Sequence, residues 1–180
     1  PVIVNNPDIR SLGNFFENYY PGRPLRELTY WVDYSFFGLS AAGYYIQHIF
    51  WHGFCSWLVF RLAKQLGAVL PVAWFSALLF LSHPVQVEVV ANNSRRKDSL
   101  VLAFCRLSLL SYLRGRDVAS GKSRWWFLGA LLFWCVALLA KQNALALPFV
   151  VAAYEMYRLP HQFRRPLFSL SVLVLGFSFA

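Results

Sequence analysis

The chain has 180 residues, of which 58% are hydrophobic and only 14% charged, a balance that excludes an ordinary soluble domain and is typical of a polytopic membrane protein. Lys and Arg outnumber Asp and Glu by 17 to 8. In so apolar a chain that excess is loop charge that sorts membrane faces, not a nucleic-acid surface.

The aromatic share of 18% suits interfacial belts and lipid-facing surface. Cys55, Cys105 and Cys135 lie inside apolar segments with no CxxC spacing, so they are expected to be small buried or lipid-facing residues rather than metal ligands or disulfide partners. The chain starts at Pro1 without a Met or a signal-like run and ends inside an apolar segment, which reads as an internal piece of a longer protein.

Residues 1–40 mix Asn, Pro and Gly with aromatics and hold no long apolar run, so they are expected to form an extramembrane loop with short amphipathic helices at the interface. Residues 41–180 are expected to be a transmembrane helical bundle. Its first span covers about 41–60, with His48 and His52 four apart on one helical face, which is metal-ligand spacing but also the spacing of histidines hydrogen-bonded within a bundle. Arg61 to Gly67 reads as a polar turn, and Pro71 opens the next helix, which runs to Ser82.

The stretch His83 to Asp98, HPVQVEVVANNSRRKD, sets one His, two acids and three consecutive cations between two apolar segments, and is expected to be a loop at a membrane surface. The third span covers Ser99 to Leu113. It contains Arg106, a charge that must face the bundle, an acid, a carbonyl or a watery cavity. Residues 114–124 form a surface turn, and Trp125 to Ala140 a fourth span. Lys141, Gln142 and Asn143 interrupt it before a fifth span with Pro148 as kink or restart, and a sixth begins at about Leu167.

The pattern of His83, Pro84, Glu88, Val90, Arg96, Lys97, Asp98 and Leu100 resembles the membrane glycosyltransferases of the GT-C class, in particular the bacterial tetratricopeptide-repeat-linked branch related to protein O-mannosyltransferases. A second block resembles the first large loop and second membrane helix of the same family, through Asn6, Pro7, Ile9, Arg23, Pro24, Leu25, Leu28, Asp33, Gly38, Gly43, Tyr44, His48 and His52. The resemblance implies an all-α, GT-C-like bundle of about five to six transmembrane helices. It also implies transfer of a sugar from a polyprenyl-phosphate carrier to a protein or glycan acceptor at the outer membrane face. The family's catalytic Asp pair lies just ahead of the segment matched by NNPDI, and neither Asp8 nor Asp33 occupies that position.

Such a reaction needs a carboxylate to take the acceptor proton and fixed cations to neutralise the departing phosphate. On the resemblance, catalytic duty falls to Glu88, His83 and Asp98, and carrier-phosphate binding to Arg96, Lys97, Lys141 and Arg23. A helix starting near Arg96 would add its N-terminal dipole to that site. His48, His52 and Arg106 are candidate polar residues of the bundle. No metal ligand set is assigned, and a divalent cofactor is left open. Headgroup attraction to anionic lipid is the plainer explanation of the cations.

Alternating the spans sorts the loops into two faces. Residues 61–70, 114–124 and 158–166 carry nine cations against Asp117 and the neighbouring Glu155, so they are expected to be cytoplasmic. Residues 1–40, 83–99 and 141–143 carry seven cations against six acids and are expected to face the periplasm of a bacterial inner membrane, or the lumen of an endoplasmic reticulum membrane. A non-catalytic subunit of a membrane complex with the same fold, contacting other membrane subunits, is the alternative function. A transporter using Arg106, His48 and His52 as a polar path is a third.

Overall fold

The computed structural model describes residues 24–92, 95–118 and 123–158. The expected sixth span and Arg23 lie outside them. The regular elements among the described residues are all helices: α1 (Pro24–Phe37), α2 (Ala41–Gln65), α3 (Leu70–Ser82), α4 (Pro84–Ala91), α5 (Arg96–Asp117), α6 (Ser123–Ala140), a short 3-10 helix (Gln142–Ala146) and α7 (Leu147–Arg158). The chain divides into two compact units, Pro1–Ala144 and Leu145–Ala180, and α7 belongs to the second.

The first unit is organised by two antiparallel helix pairs. Ser56 Oγ donates to the Ala77 carbonyl at 2.8 Å and His52 Nε2 stands 3.0 Å from the Leu81 carbonyl, so α2 and α3 run past each other in opposite senses. Likewise Ser108 Oγ donates to the Ala130 carbonyl at 2.7 Å and Ser123 Oγ to the Gly115 carbonyl at 2.5 Å, which aligns α5 against α6. Small side chains let these backbones approach: Ala103, Ala137 and Ala140 are fully buried. The core couples Leu100 and Val101 of α5 to Ala137, Ala140 and Ala144, with Leu25 of α1 and Trp51 of α2 packed against it.

Two boundaries differ from the sequence expectation. α2 does not stop near residue 60; it absorbs Arg61 to Gln65, all good helix formers. It ends in a Schellman motif, with Gly67 N–H on the Lys64 carbonyl and Ala68 N–H on the Ala63 carbonyl. Gly67 sits at φ 92°, where only glycine is free of strain. The stretch His83 to Asp98 is not a loop. Pro84 occupies the first turn of α4, where its missing N–H costs nothing, and α5 already starts at Arg96. His83, extended because it precedes proline, forms the elbow between α3 and α4.

Among the described helices, α6 alone is long and apolar enough to cross a membrane, about 27 Å over its 18 residues. The pair α3–α4, bent by 49° at His83, passes the same test when taken as one broken span.

Candidate functional site

The acids and cations singled out in the sequence gather where α5 begins and α6 ends, but each is bound to a different partner. Arg95 is the N-cap of α5, Arg96 its first residue, and Lys97 and Asp98 complete the opening turn. Asp98 thus lies where a carboxylate favours the helix dipole. Because α6 runs back along α5, Lys141 arrives beside that turn, and its Nζ stands 2.6 Å from Asp98 Oδ1. Both side chains keep about a quarter of their surface exposed, 27% for Lys141 and 25% for Asp98.

Arg96 points the other way. Its guanidinium is fully buried and ion-paired with the equally buried Asp33 of α1, and Nη2 donates to the Tyr44 carbonyl at 3.3 Å. Two aromatic rings flank it, Tyr30 at 4.5 Å and Tyr44 at 5.8 Å from the guanidinium carbon. The Tyr44 hydroxyl donates to the Gly38 carbonyl at 2.9 Å, tying in the α1–α2 turn, where Gly38 has φ 56°. Burial pushes the Asp33 carboxyl above the usual carboxylate range, while the Arg96 guanidinium and the Gln47 side chain pull the other way. Burial likewise raises the Tyr30 phenol, so it stays neutral.

Glu88 is on α4 and well exposed, at 67%, and is ion-paired with Arg95, whose Nη2 lies 3.3 Å away. His83 is exposed at the elbow, and Lys97 is half-buried. Arg96 and Lys141 therefore do not converge on one point: each has its own carboxylate. Arg23 lies outside the described residues.

The polar bundle residues sit deeper. Arg106 donates from Nη1 to the Cys55 carbonyl at 3.2 Å and lies 4.3 Å from the Phe80 ring, a carbonyl-and-aromatic seat for a mid-helix charge. His48 is buried, and His52 reaches across to α3. Cys55 is buried with its Sγ toward the Ser99 carbonyl at 3.4 Å, Cys105 is half-buried and Cys135 exposed. Among the described residues no three His, Cys, Asp or Glu side chains stand together as metal ligands would.

Asp33 was missed as a partner for the basic run. The signal available was its place on α1: Glu27, Tyr30 and Asp33 recur every three residues and all are buried, a polar stripe facing inward.

Residues 23–180 match the model of the family described as dolichyl-phosphate-mannose-protein mannosyltransferase. Among curated proteins, the chain is 34% identical over 140 residues to protein O-mannosyl-transferase Tmtc2 of Drosophila melanogaster, covering 76% of this chain and 15% of that one. It is 27% identical over 189 residues to protein O-mannosyl-transferase TMTC4 of Mus musculus, covering 86% and 26%. With protein O-mannosyl-transferase F38B6.6 of Caenorhabditis elegans it shares 29% identity over 99 residues, 53% of this chain and 14% of that one. No solved structure matches. The chain spans between 14% and 26% of the length of these three relatives. With its sequence matched from Arg23 to the last residue, the chain belongs to the dolichyl-phosphate-mannose-protein mannosyltransferase family.

Proposed function

We propose that this chain is the membrane-embedded part of a protein O-mannosyltransferase that takes a mannosyl group from a polyprenyl-phosphate carrier at the outer membrane face and passes it to a hydroxyl of a protein acceptor. The observation that carries this reading is the family match over residues 23–180, joined to a charged site of the right composition. In the transfer, the acceptor oxygen bonds to the sugar's anomeric carbon, the bond from that carbon to the phosphate oxygen breaks with its electron pair, and the hydroxyl proton goes to a carboxylate. Its exposure on α4 supports Glu88 as that base, with the exposed His83 one helical stretch away. Lys97, Lys141 and the first turn of α5 offer the cations and N–H groups that would hold the departing phosphate, and Asp98 orients Lys141. Arg96, committed to Asp33 and out of reach of solvent, is not part of that cradle.

The membrane setting is supported by what faces outward. Phe36, Ile46, Ile49, Phe50, Phe75, Leu78, Leu131 and Leu132 are all more than half exposed, and α1 adds Leu28 and Phe37 at 40% and 44%. So much outward apolar surface is what acyl chains would cover. α1 is then an interfacial helix of the 1–40 stretch, polar face to the protein and apolar face to lipid, and the rest of the chain is a bundle of five to six spans. At the opposite end from Asp98 and Lys141, Arg61 lies over Trp57, Arg114 over Trp126 and Arg124 over Trp125, pairs suited to anchoring a cytoplasmic interface.

The test uses the full-length protein in membranes with polyprenyl-phosphate-mannose as donor. Glu88→Gln, which keeps shape and removes charge, is expected to lose most transfer at unchanged thermal stability, and Lys141→Ala to weaken donor binding. Wild-type rates and affinities in both variants would remove the enzymatic reading of this site and leave the chain as a structural subunit.

A further inference from the structure

The Asp33–Arg96 pair is a costly way to fill a core. Removing two charges from water is repaid only by near-ideal geometry, and well-packed apolar residues of similar volume commonly hold a fold as well or better. Here the pair is not even fully satisfied, since Asp33 Oδ1 and Arg96 Nε have no hydrogen-bond partner in the protein. What an ion pair supplies that leucines do not is direction: a guanidinium fork fixes distance and angle, whereas apolar contacts slide.

The direction is set at a particular place. Arg96 is the first residue of α5, so fixing its guanidinium fixes where that helix begins. Four points converge there: Asp33 from α1, the Tyr30 ring from α1, the Tyr44 ring and carbonyl from α2, and, through the Tyr44 hydroxyl, the α1–α2 turn at Gly38. Asp98 follows two residues later in the same turn and meets Lys141. Leu25, at the start of α1, packs on the same Leu100–Ala140 core that carries both helix ends.

We propose that Asp33 and Arg96 are a positioning pair for the transfer step: they lock the first turn of α5 so that Asp98 and Lys141 present a fixed charge pattern to the carrier phosphate, without touching the donor. This rests on the reading of α5 and α6 given above. A displacement of about an ångström at a positioned group can cost a factor of about a hundred in rate, so the pair's value is in turnover and not in stability.

The experiment uses the full-length protein in nanodiscs, with polyprenyl-phosphate-mannose and a hydroxyl-bearing acceptor peptide. Two variants are compared: Asp33→Glu, which keeps both charges and lengthens the arm, and the double variant Asp33→Leu with Arg96→Met, which replaces the pair by apolar volume. Each is expected to melt close to wild type yet lose at least ten-fold in kcat/KM. Spin labels at the exposed Leu28 of α1 and at Asp117, the exposed last residue of α5, read geometry without activity; their distance distribution is expected to be narrow in wild type and broad in the double variant. A variant that melts and transfers like wild type, or a distribution that stays narrow, overturns the proposal. If the double variant does not fold, Asp33→Glu decides alone. Wild-type transfer by Lys141→Ala would instead remove the reading of the donor site, and the label distances would still decide whether the pair positions α5.

Discussion

Asp33→Asn isolates the charge of the buried pair, because the amide is nearly the same size as the carboxylate it replaces. With both partners fully buried, the substitution leaves the Arg96 guanidinium uncompensated in a low-dielectric interior, and breaking such a pair costs about 3–5 kcal/mol. Two retained contacts pull the expectation to the lower end. The Tyr30 ring stays 4.5 Å from the guanidinium, an interaction of about 0.5–2 kcal/mol. The Tyr44 carbonyl still accepts from Nη2, and the new amide oxygen can accept once more. A loss of about 3 kcal/mol is therefore expected, a shift of roughly 6–12 °C in the melting point of a unit this size. Reversible unfolding in mixed micelles, run as a double-mutant cycle with Arg96→Met, reads the pair directly. The double variant is expected to recover most of the loss, giving a coupling of at least about 2 kcal/mol. If Asp33→Asn stays within about 1 kcal/mol of wild type, the pair is water-exposed and the reasoning fails.

Two further outcomes are expected. Single Cys replacements at Lys64 and Lys122 are expected to resist a membrane-impermeant thiol reagent in intact cells while one at Asn93 is labelled; labelling at position 122 and not at 93 would reverse the proposed sidedness. Gly43→Ala would set a Cβ 2.2 Å from Cγ and 2.5 Å from Cβ of Phe37, so the α1–α2 turn must shift, at a cost of about 1–3 kcal/mol in unfolding free energy, read from equilibrium unfolding. A gain in stability there, as helix propensity alone would give, would show that Phe37 yields freely.

The candidate site was legible in residue type and place, and much less in pairing. Asp98, Arg96, Lys97 and Lys141 stood out because charges are rare in a chain this apolar, and α5 does begin at Arg96, as its sequence predicts. The partner of each charge was not legible. Asp33 is 63 residues from Arg96 and Lys141 is 43 from Asp98, and separations of that size carry no local signal. Arg106 was recognised as needing a carbonyl, an acid or a cavity, but only packing could select the Cys55 carbonyl.

The helical class of the chain, the family it belongs to, the helix starts near Pro71 and Arg96 and the charge bias of its loops follow from the sequence by itself, because hydrophobic run length, proline's missing N–H and the cost of burying charge act locally. Tertiary structure alone decided that residues 84–91 form a helix bent from α3, that α1 turns its polar stripe inward, and that Arg96 serves Asp33 while Lys141 serves Asp98. The physical reason is that periodicity states which residues share a face but not what that face meets. On α1 the exposed Leu28 and Phe36 turn outward while Glu27, Tyr30 and Asp33 turn inward, because the inner face meets the Arg96 guanidinium.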